Sequence, residues 1–360
     1  MTKKTRKTLF FICLVLFLLL APIIALYSQG YRVDFDAKKL TQTGGLYLKT
    51  LPKQVEVYLD DRLKEKTDFF FGSILIENLL PKEYKIEVKK TGFHPWQKIL
   101  SVKEKEVTEA KSIVLFPENV DFQTLTERTE DFWFSPDEKK IVLFEENSIL
   151  EEETKTWSLK LYDLDKKLKS HLIDEKDISK AQADLINLTF SDNSILFLEI
   201  GMAEQTKYFS LEVDKAPPIL KELEEPLLPL ENEIYEEKIP ENALGFKISP
   251  DEKKVVYFTD YEIWILYLEE QTHQPRKEVG EKTFLVRLSE KIGDAFWVNS
   301  DYLVFNTGDK IKITEVDERD GLNIIDIKEI KNPQMFWGEN EKKLYILSEN
   351  VLLRSSALLP

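Results

Sequence analysis

The chain has 360 residues, with 65 acidic against 50 basic side chains and a single cysteine, Cys13. A net charge of −15 repels polyanions, so neither nucleic acid nor an anionic lipid surface is an expected partner. One cysteine allows no intrachain disulfide, so 22 Phe, 13 Tyr and 6 Trp must supply the buried area that stabilises the fold.

Residues 1–8 carry Lys3, Lys4, Arg6 and Lys7, and Leu9–Tyr27 (LFFICLVLFLLLAPIIALY) follows without a charge. As a helix this run would span about 28 Å, close to the hydrocarbon thickness of a bilayer. Basic residues beside a spanning helix stay on the cytoplasmic side, which predicts an inside N-terminus. The rest of the chain is then extracytoplasmic, held at the plasma membrane by a single pass. Setting the four N-terminal basic residues aside leaves 46 basic against 65 acidic side chains in that exterior part. A secretory signal has the same charged start and apolar middle, but bulky Leu26 and Tyr27 spoil most small-residue cleavage registers at the exit. Cys13 lies too early in the apolar run for a lipoprotein. An uncleaved anchor is the expectation.

Residues 28–43 read as a polar linker with weak periodicity. From Gly44 the pattern changes to short alternating runs separated by turn signals. Gly45–Thr50 and Val55–Leu59 flank Leu51-Pro52-Lys53. Ser73–Leu79 leads through Leu80-Pro81-Lys82 into Tyr84–Lys89, and Lys98–Val102 and Glu109–Leu115 complete the set. Six or seven short strands with no helical period predict a small β-sandwich over 44–117. Gly45–Thr50 with Leu51-Pro52, Val55–Asp60, the Asn78–Pro81 turn into Tyr84–Val88, and Gly92-Phe93 together resemble a PEGA domain. The namesake stretch reads Pro52-Lys53-Gln54-Val55 here, and Asp61 stands where a turn glycine is usual. The resemblance implies an envelope-facing interaction or spacer module with no catalytic residues.

From residue 118 an internal repeat begins. Phe132–Phe144 (FWFSPDEKKIVLF) and Phe246–Phe258 (FKISPDEKKVVYF) share SPDEKK at Ser135 and Ser249. Leu188–Leu198, Phe296–Phe305 and Phe336–Leu347 repeat the layout of strand, tight turn and strand. Third strands follow at Leu159–Leu164, Tyr208–Val213, Ile263–Leu268, Lys310–Val316 and Val351–Arg354. Such spacing predicts a five-bladed β-propeller over 118–360. The last copy ends after its third strand, and Asp121–Thr126 lacks a partner, so it is placed as the outer strand of the final blade. On Ser135-Pro136-Asp137 and Ser249-Pro250-Asp251 the module resembles a WD40-like or TolB-type propeller. The fold class is therefore all-β with one N-terminal transmembrane helix: a PEGA-like sandwich, then the propeller.

Chemistry is sparse. Ser-Pro-Asp could be catalytic or calcium-binding, but Pro at a turn's second position and Asp bonding local amides suit a repeated structural turn. His94, His171 and His273 are far apart and support no metal site. No serine-elbow, P-loop or dinucleotide glycine motif occurs. No catalytic, cofactor-binding or metal-ligating residue is assigned, and no cofactor is expected. Acidic clusters at Glu151–Glu153, Glu224-Glu225 and Glu236-Glu237 read as solvated loops. Ala216–Pro240 reads as the longest insertion, a linker or a functional loop. The expected function is non-enzymatic binding or scaffolding of an envelope protein or glycan. The competing expectation is a hydrolase or lyase in the propeller channel, for which convergent inward carboxylates, Arg or His would be the sign.

Overall fold

A computed structural model describes residues 3–35, 38–149, 154–203, 205–225 and 238–359. Helix α1 (Lys3–Ser28) contains the uncharged run, with Pro22 inside it, and buries none of its side chains against the rest of the chain. Among the described residues it is the one helix long and apolar enough to cross a membrane.

The stretch read as a polar linker holds a hairpin, β1 (Tyr31–Asp34) and β2 (Lys39–Gln42), paired as a separate two-stranded sheet. Each strand is only four residues long, the lower limit at which alternation signals a strand.

Seven strands follow: β3 (Gly44–Leu51), β4 (Glu56–Leu59), β5 (Arg62–Lys66), β6 (Ser73–Leu79), β7 (Glu83–Lys89), β8 (Trp96–Ser101) and β9 (Val107–Val114). They form a three-stranded sheet, β6-β3-β9, and a four-stranded sheet, β5-β4-β7-β8. Strands β3 and β9 run parallel, and the other pairs are antiparallel. Leu46 and Leu48 of one sheet meet Val57, Ile86 and Val88 of the other in one buried core. Strand β5 departs from the sequence reading, which ended a strand at Leu59 and started none before Ser73. Asp60 and Asp61 both have positive φ, 50° and 61°, the conformation of a two-residue hairpin turn. The turn folds exposed RLKEK back onto β4.

The remaining strands are β10 (Phe122–Glu127), β11 (Asp131–Phe134), β12 (Lys140–Ile149), β13 (Thr154–Asp163), β14 (Leu168–Asp174), β15 (Ala183–Phe190), β16 (Ile195–Met202), β17 (Thr206–Glu212) and β18 (Ile219–Leu223). Then come β19 (Gly245–Ile248), β20 (Lys254–Phe258), β21 (Glu262–Tyr267), β22 (Lys282–Arg287), β23 (Ile292–Asn299), β24 (Tyr302–Thr307), β25 (Lys310–Glu315), β26 (Ile324–Glu329), β27 (Gln334–Gly338), β28 (Lys343–Ser348) and β29 (Val351–Ser355). A short helix, α2 (Glu175–Ile178), follows β14. Four sheets are sequential antiparallel meanders, β11 to β14, β15 to β18, β19 to β22 and β23 to β26. The fifth has the order β27-β28-β29-β10, so a strand from before the repeat completes the last sheet. Phe122 pairs with Ser355 and Glu127 with Val351, which joins the two ends of the repeat region. First strands of neighbouring sheets touch, β11 with β15, β19 with β23 and β23 with β27. Phe134 of β11 stacks on Phe336 of β27 at 3.9 Å, across the join. This is a β-propeller.

The insertion read at Ala216–Pro240 contains β18, the outermost strand of its sheet. Alternation there is masked by Pro217, Pro218 and Pro226 close by. Residues 226–237, and with them Glu236-Glu237, lie outside the described residues, as do Glu151–Glu153.

Candidate functional site

The repeated SPDEKK turns are built identically. Ser135 Oγ donates to Asp137 Oδ1 at 2.6 Å, and Lys140 N donates to Ser135 Oγ. Ser249 Oγ donates to Asp251 Oδ1 at 2.6 Å, and Lys254 N to Ser249 Oγ. Glu138 and Glu252 occupy the left-handed position of each turn. The final lysine of each copy then reaches the next sheet, Lys140 to Asp214 and Lys254 to Asp301. Serine and aspartate are thus consumed by the turn, and lysine by inter-sheet bracing.

Around the propeller axis the first strands present aromatics. Phe336 lies between Phe134 and Phe296, and Lys247 Nζ sits 4.0 Å over the Phe296 ring while pairing with Asp294. Asp131 Oδ1 accepts from Gln334 Nε2 at 2.7 Å and from Phe132 N. Among the described residues, the one group of three ligand-type side chains close enough to share an ion is His171, Asp174 and Asp177, all exposed at α2. Asp177 there already accepts from the Asp174 amide, as a helix-capping residue does.

The seam between the seven-stranded module and the propeller holds the most buried charge. Lys98 of β8 has a side chain with 0% exposure. Its Nζ lies 2.9 Å from Glu315 Oε1 and donates to the carbonyls of Asp317, Arg319 and Gly321. Trp96 Nε1 donates to Glu315 Oε2 at 2.8 Å, and Asn323 donates to Oε1. Burial pushes the Glu315 carboxyl up, against the opposing pull of Lys98, Trp96 and Asn323. Arg319 Nη2 reaches Glu109 O, and Gln274 brackets β9 by accepting from Glu109 N and donating to Val107 O. Beside these, Val114 and Phe116 enter the same apolar cluster as Tyr302, Val304 and Ile313 of the propeller. A cavity of about 30 Å³ at this seam, lined by Trp96, Tyr267, His273 and Glu315, has room for about one water. It is too small for a substrate. His94 lies in the module's turn, where its amide donates to Phe116 O.

Sequence reasoning missed the feature that most invites a partner. Between β5 and β6, Phe69, Phe70 and Phe71 are 64%, 74% and 73% exposed. Their loop is held from beneath: the Asp68 carboxylate accepts from the amides of Phe70, Phe71 and Ser73 and from Ser73 Oγ, all within 2.8 Å. Lys53 Nζ donates to Phe70 O, and Thr50 Oγ1 to Gly72 O. These bonds, the Phe71 amide first, hold the Asp68 carboxyl well below the usual carboxylate range. The signal available in the sequence was Asp-Phe-Phe-Phe-Gly itself, a run too short for a strand and too apolar for an ordinary loop.

No protein-family model matches the chain, and no curated protein matches its sequence. Solved structures similar to it include a gluconolactonase from Xanthomonas campestris, 12% identical, covering 77% of this chain and 82% of that one at a TM-score of 0.28. The β-propeller domain of Cps50 (Swd1) from Myceliophthora thermophila is 8% identical, covering 76% and 92% at 0.31. Hsv2 from Kluyveromyces lactis is 13% identical, covering 86% and 72% at 0.22. Likeness this distant says nothing about activity.

Proposed function

We propose that this is a single-pass plasma-membrane protein, N-terminus inside, whose exterior part binds or scaffolds proteins or glycans of the cell envelope without catalysing a reaction. In this reading α1 is the anchor, the seven-stranded module is a PEGA-like sandwich, and the five four-stranded sheets are five blades. The observation that carries the binding role is the Phe69–Phe71 loop. Three adjacent aromatic rings in water, on a backbone braced by Asp68, form the kind of exposed apolar patch that marks a contact surface. Bracing lowers the entropy lost on docking. Aromatic faces suit both apolar protein pockets and sugar rings.

The test places a photoreactive benzophenone residue at Phe70 of the full chain in cells. A specific adduct is expected that disappears when Phe69 and Phe71 become Ser, while a probe at exposed Lys180 gives none. Equal labelling from both positions, or an adduct indifferent to the Ser substitutions, would remove this loop as the contact. A sugar partner would show instead as glycan-array binding by the purified protein, lost in the same Ser variant.

A further inference from the structure

We infer that the hairpin β1–β2 rests on the bilayer as a second, interfacial contact, with Val33, Phe35 and Leu40 in the boundary between headgroups and acyl chains. The inference depends on the reading of α1 as a membrane span.

Val33 and Leu40 are register partners, so their side chains stand on the same face, and Phe35 follows in the turn at the end of β1. Phe35 is 82% exposed, and Val33 and Leu40 are about half exposed. The opposite face is occupied. Its register pair is Arg32 and Thr41; Arg32 Nη2 donates to Asn78 Oδ1 at 2.7 Å, and Thr41 Oγ1 to Glu104 Oε1 at 2.8 Å. The apolar face is therefore turned away from the seven-stranded module.

Position supplies the occupant. Only Gln29 and Gly30 separate α1 from β1, and two residues reach about 7 Å at most. The connection is also stiff. Arg32 Nη1 donates to Tyr27 O at 2.9 Å, its guanidinium lies 3.5 Å over the Tyr27 ring, and Gly30 O accepts from both Thr43 N and Thr43 Oγ1. Tyr27 is the kind of residue that marks the headgroup level at a helix exit. A hairpin that starts within about 7 Å of that level, with one apolar face and the other already paired, fits the surface on which interfacial segments bury their apolar sides. In sequence the segment balances Lys38 and Lys39 with Asp34 and Asp36, so apolar contact rather than lipid charge holds it. The hairpin would set how the module is oriented over the membrane.

The full chain in phosphatidylcholine nanodiscs carrying spin-labelled lipids tests this. An environment-sensitive dye is placed at Leu40→Cys in a Cys13→Ala background, at Lys180→Cys as an aqueous control, and on native Cys13. Lipid labelled near the headgroup should quench the Leu40 dye and not the Lys180 dye, unchanged by adding phosphatidylglycerol. Lipid labelled near the chain end should quench Cys13. Val33→Asp with Phe35→Asp should abolish the Leu40 quenching while leaving Cys13 quenched. If Cys13 is quenched and Leu40 behaves like Lys180, the hairpin contact is wrong and the anchor stands. An unquenched Cys13 overturns the anchor and the hairpin contact with it. Disulfide-linked dimers through Leu40→Cys without lipid quenching would assign the face to a second copy instead.

Discussion

At the scale of single residues, Lys98 and Asp68 carry opposite lessons about charge. Lys98 is a desolvated ammonium whose counter-charge, Glu315, is equally buried. Replacing Lys98 by Ala leaves that carboxylate without its partner, which typically costs about 3–5 kcal/mol. Lys98→Met combined with Glu315→Gln should cost less, because no unpaired charge remains. Urea unfolding of the three proteins in detergent checks the order, and a single-site loss no larger than the double would contradict it. Asp68 is half-buried and works through hydrogen bonds. Its folded-state value is depressed, so its contribution is complete above the unfolded value near 3.9 and fades as pH falls through the folded one. The phenylalanine loop should therefore stay ordered at pH 3, where a free aspartate is mostly protonated. Hydrogen exchange at the Phe70, Phe71 and Ser73 amides should stay slow there and become fast in Asp68→Asn at every pH.

Among the elements, β10 is decisive. It is the outer strand of the sheet that contains the chain's last strand, and its pairing with β29 leaves no open seam. Deleting Phe122–Glu127 should expose the β29 edge and produce aggregation or unfolding. A deletion variant melting at the wild-type temperature would show that closure does not depend on this pairing. The tryptophans that begin the repeats act between sheets. Trp297 is buried with its Nε1 donating to Lys247 O of the preceding sheet. Trp297→Ala should cost about 3–5 kcal/mol, the usual loss for a buried aromatic. Trp133, the register partner of Val142 and only partly buried, should cost less.

For the whole molecule, the seam decides whether two modules behave as one. Lys98, Glu315, Arg319 and Gln274 lock β8 and β9 to the propeller beside a shared apolar cluster. Calorimetry on the full chain should show one cooperative transition, and Lys98→Ala with Arg319→Ala should split it into two. A single unchanged transition in that variant would mean the apolar cluster alone couples the modules. Topology has its own test. A reporter active only outside the cytoplasm, fused after Pro360, should be active and remain with the membrane. Release of a shortened soluble protein would replace the anchor by a cleaved signal.

The strand pairs, the repeated SPDEKK turns, the closing strand and the apolar N-terminal run were legible because each is written in local spacing. Alternation at period two follows from strand geometry, and a Ser-Pro-Asp turn is complete within six residues. What stayed hidden lacks a local signature. Strand β5 is charged but for Leu63 and exposed throughout, and exists because Asp60-Asp61 turns it back onto β4. Lys98 alternates in phase with Trp96 and Leu100, but nothing local names its counter-charge: tertiary structure buries it against groups 217 to 223 residues away. The phenylalanine loop inverts the case: its residues read as core, and the Asp68 turn holds them in water. Sequence by itself determined the elements that alternate clearly, because backbone periodicity is a near-neighbour property. Only the tertiary structure decided which charges are buried and which rings are bare, because burial depends on what distant parts of the chain bring to the same place.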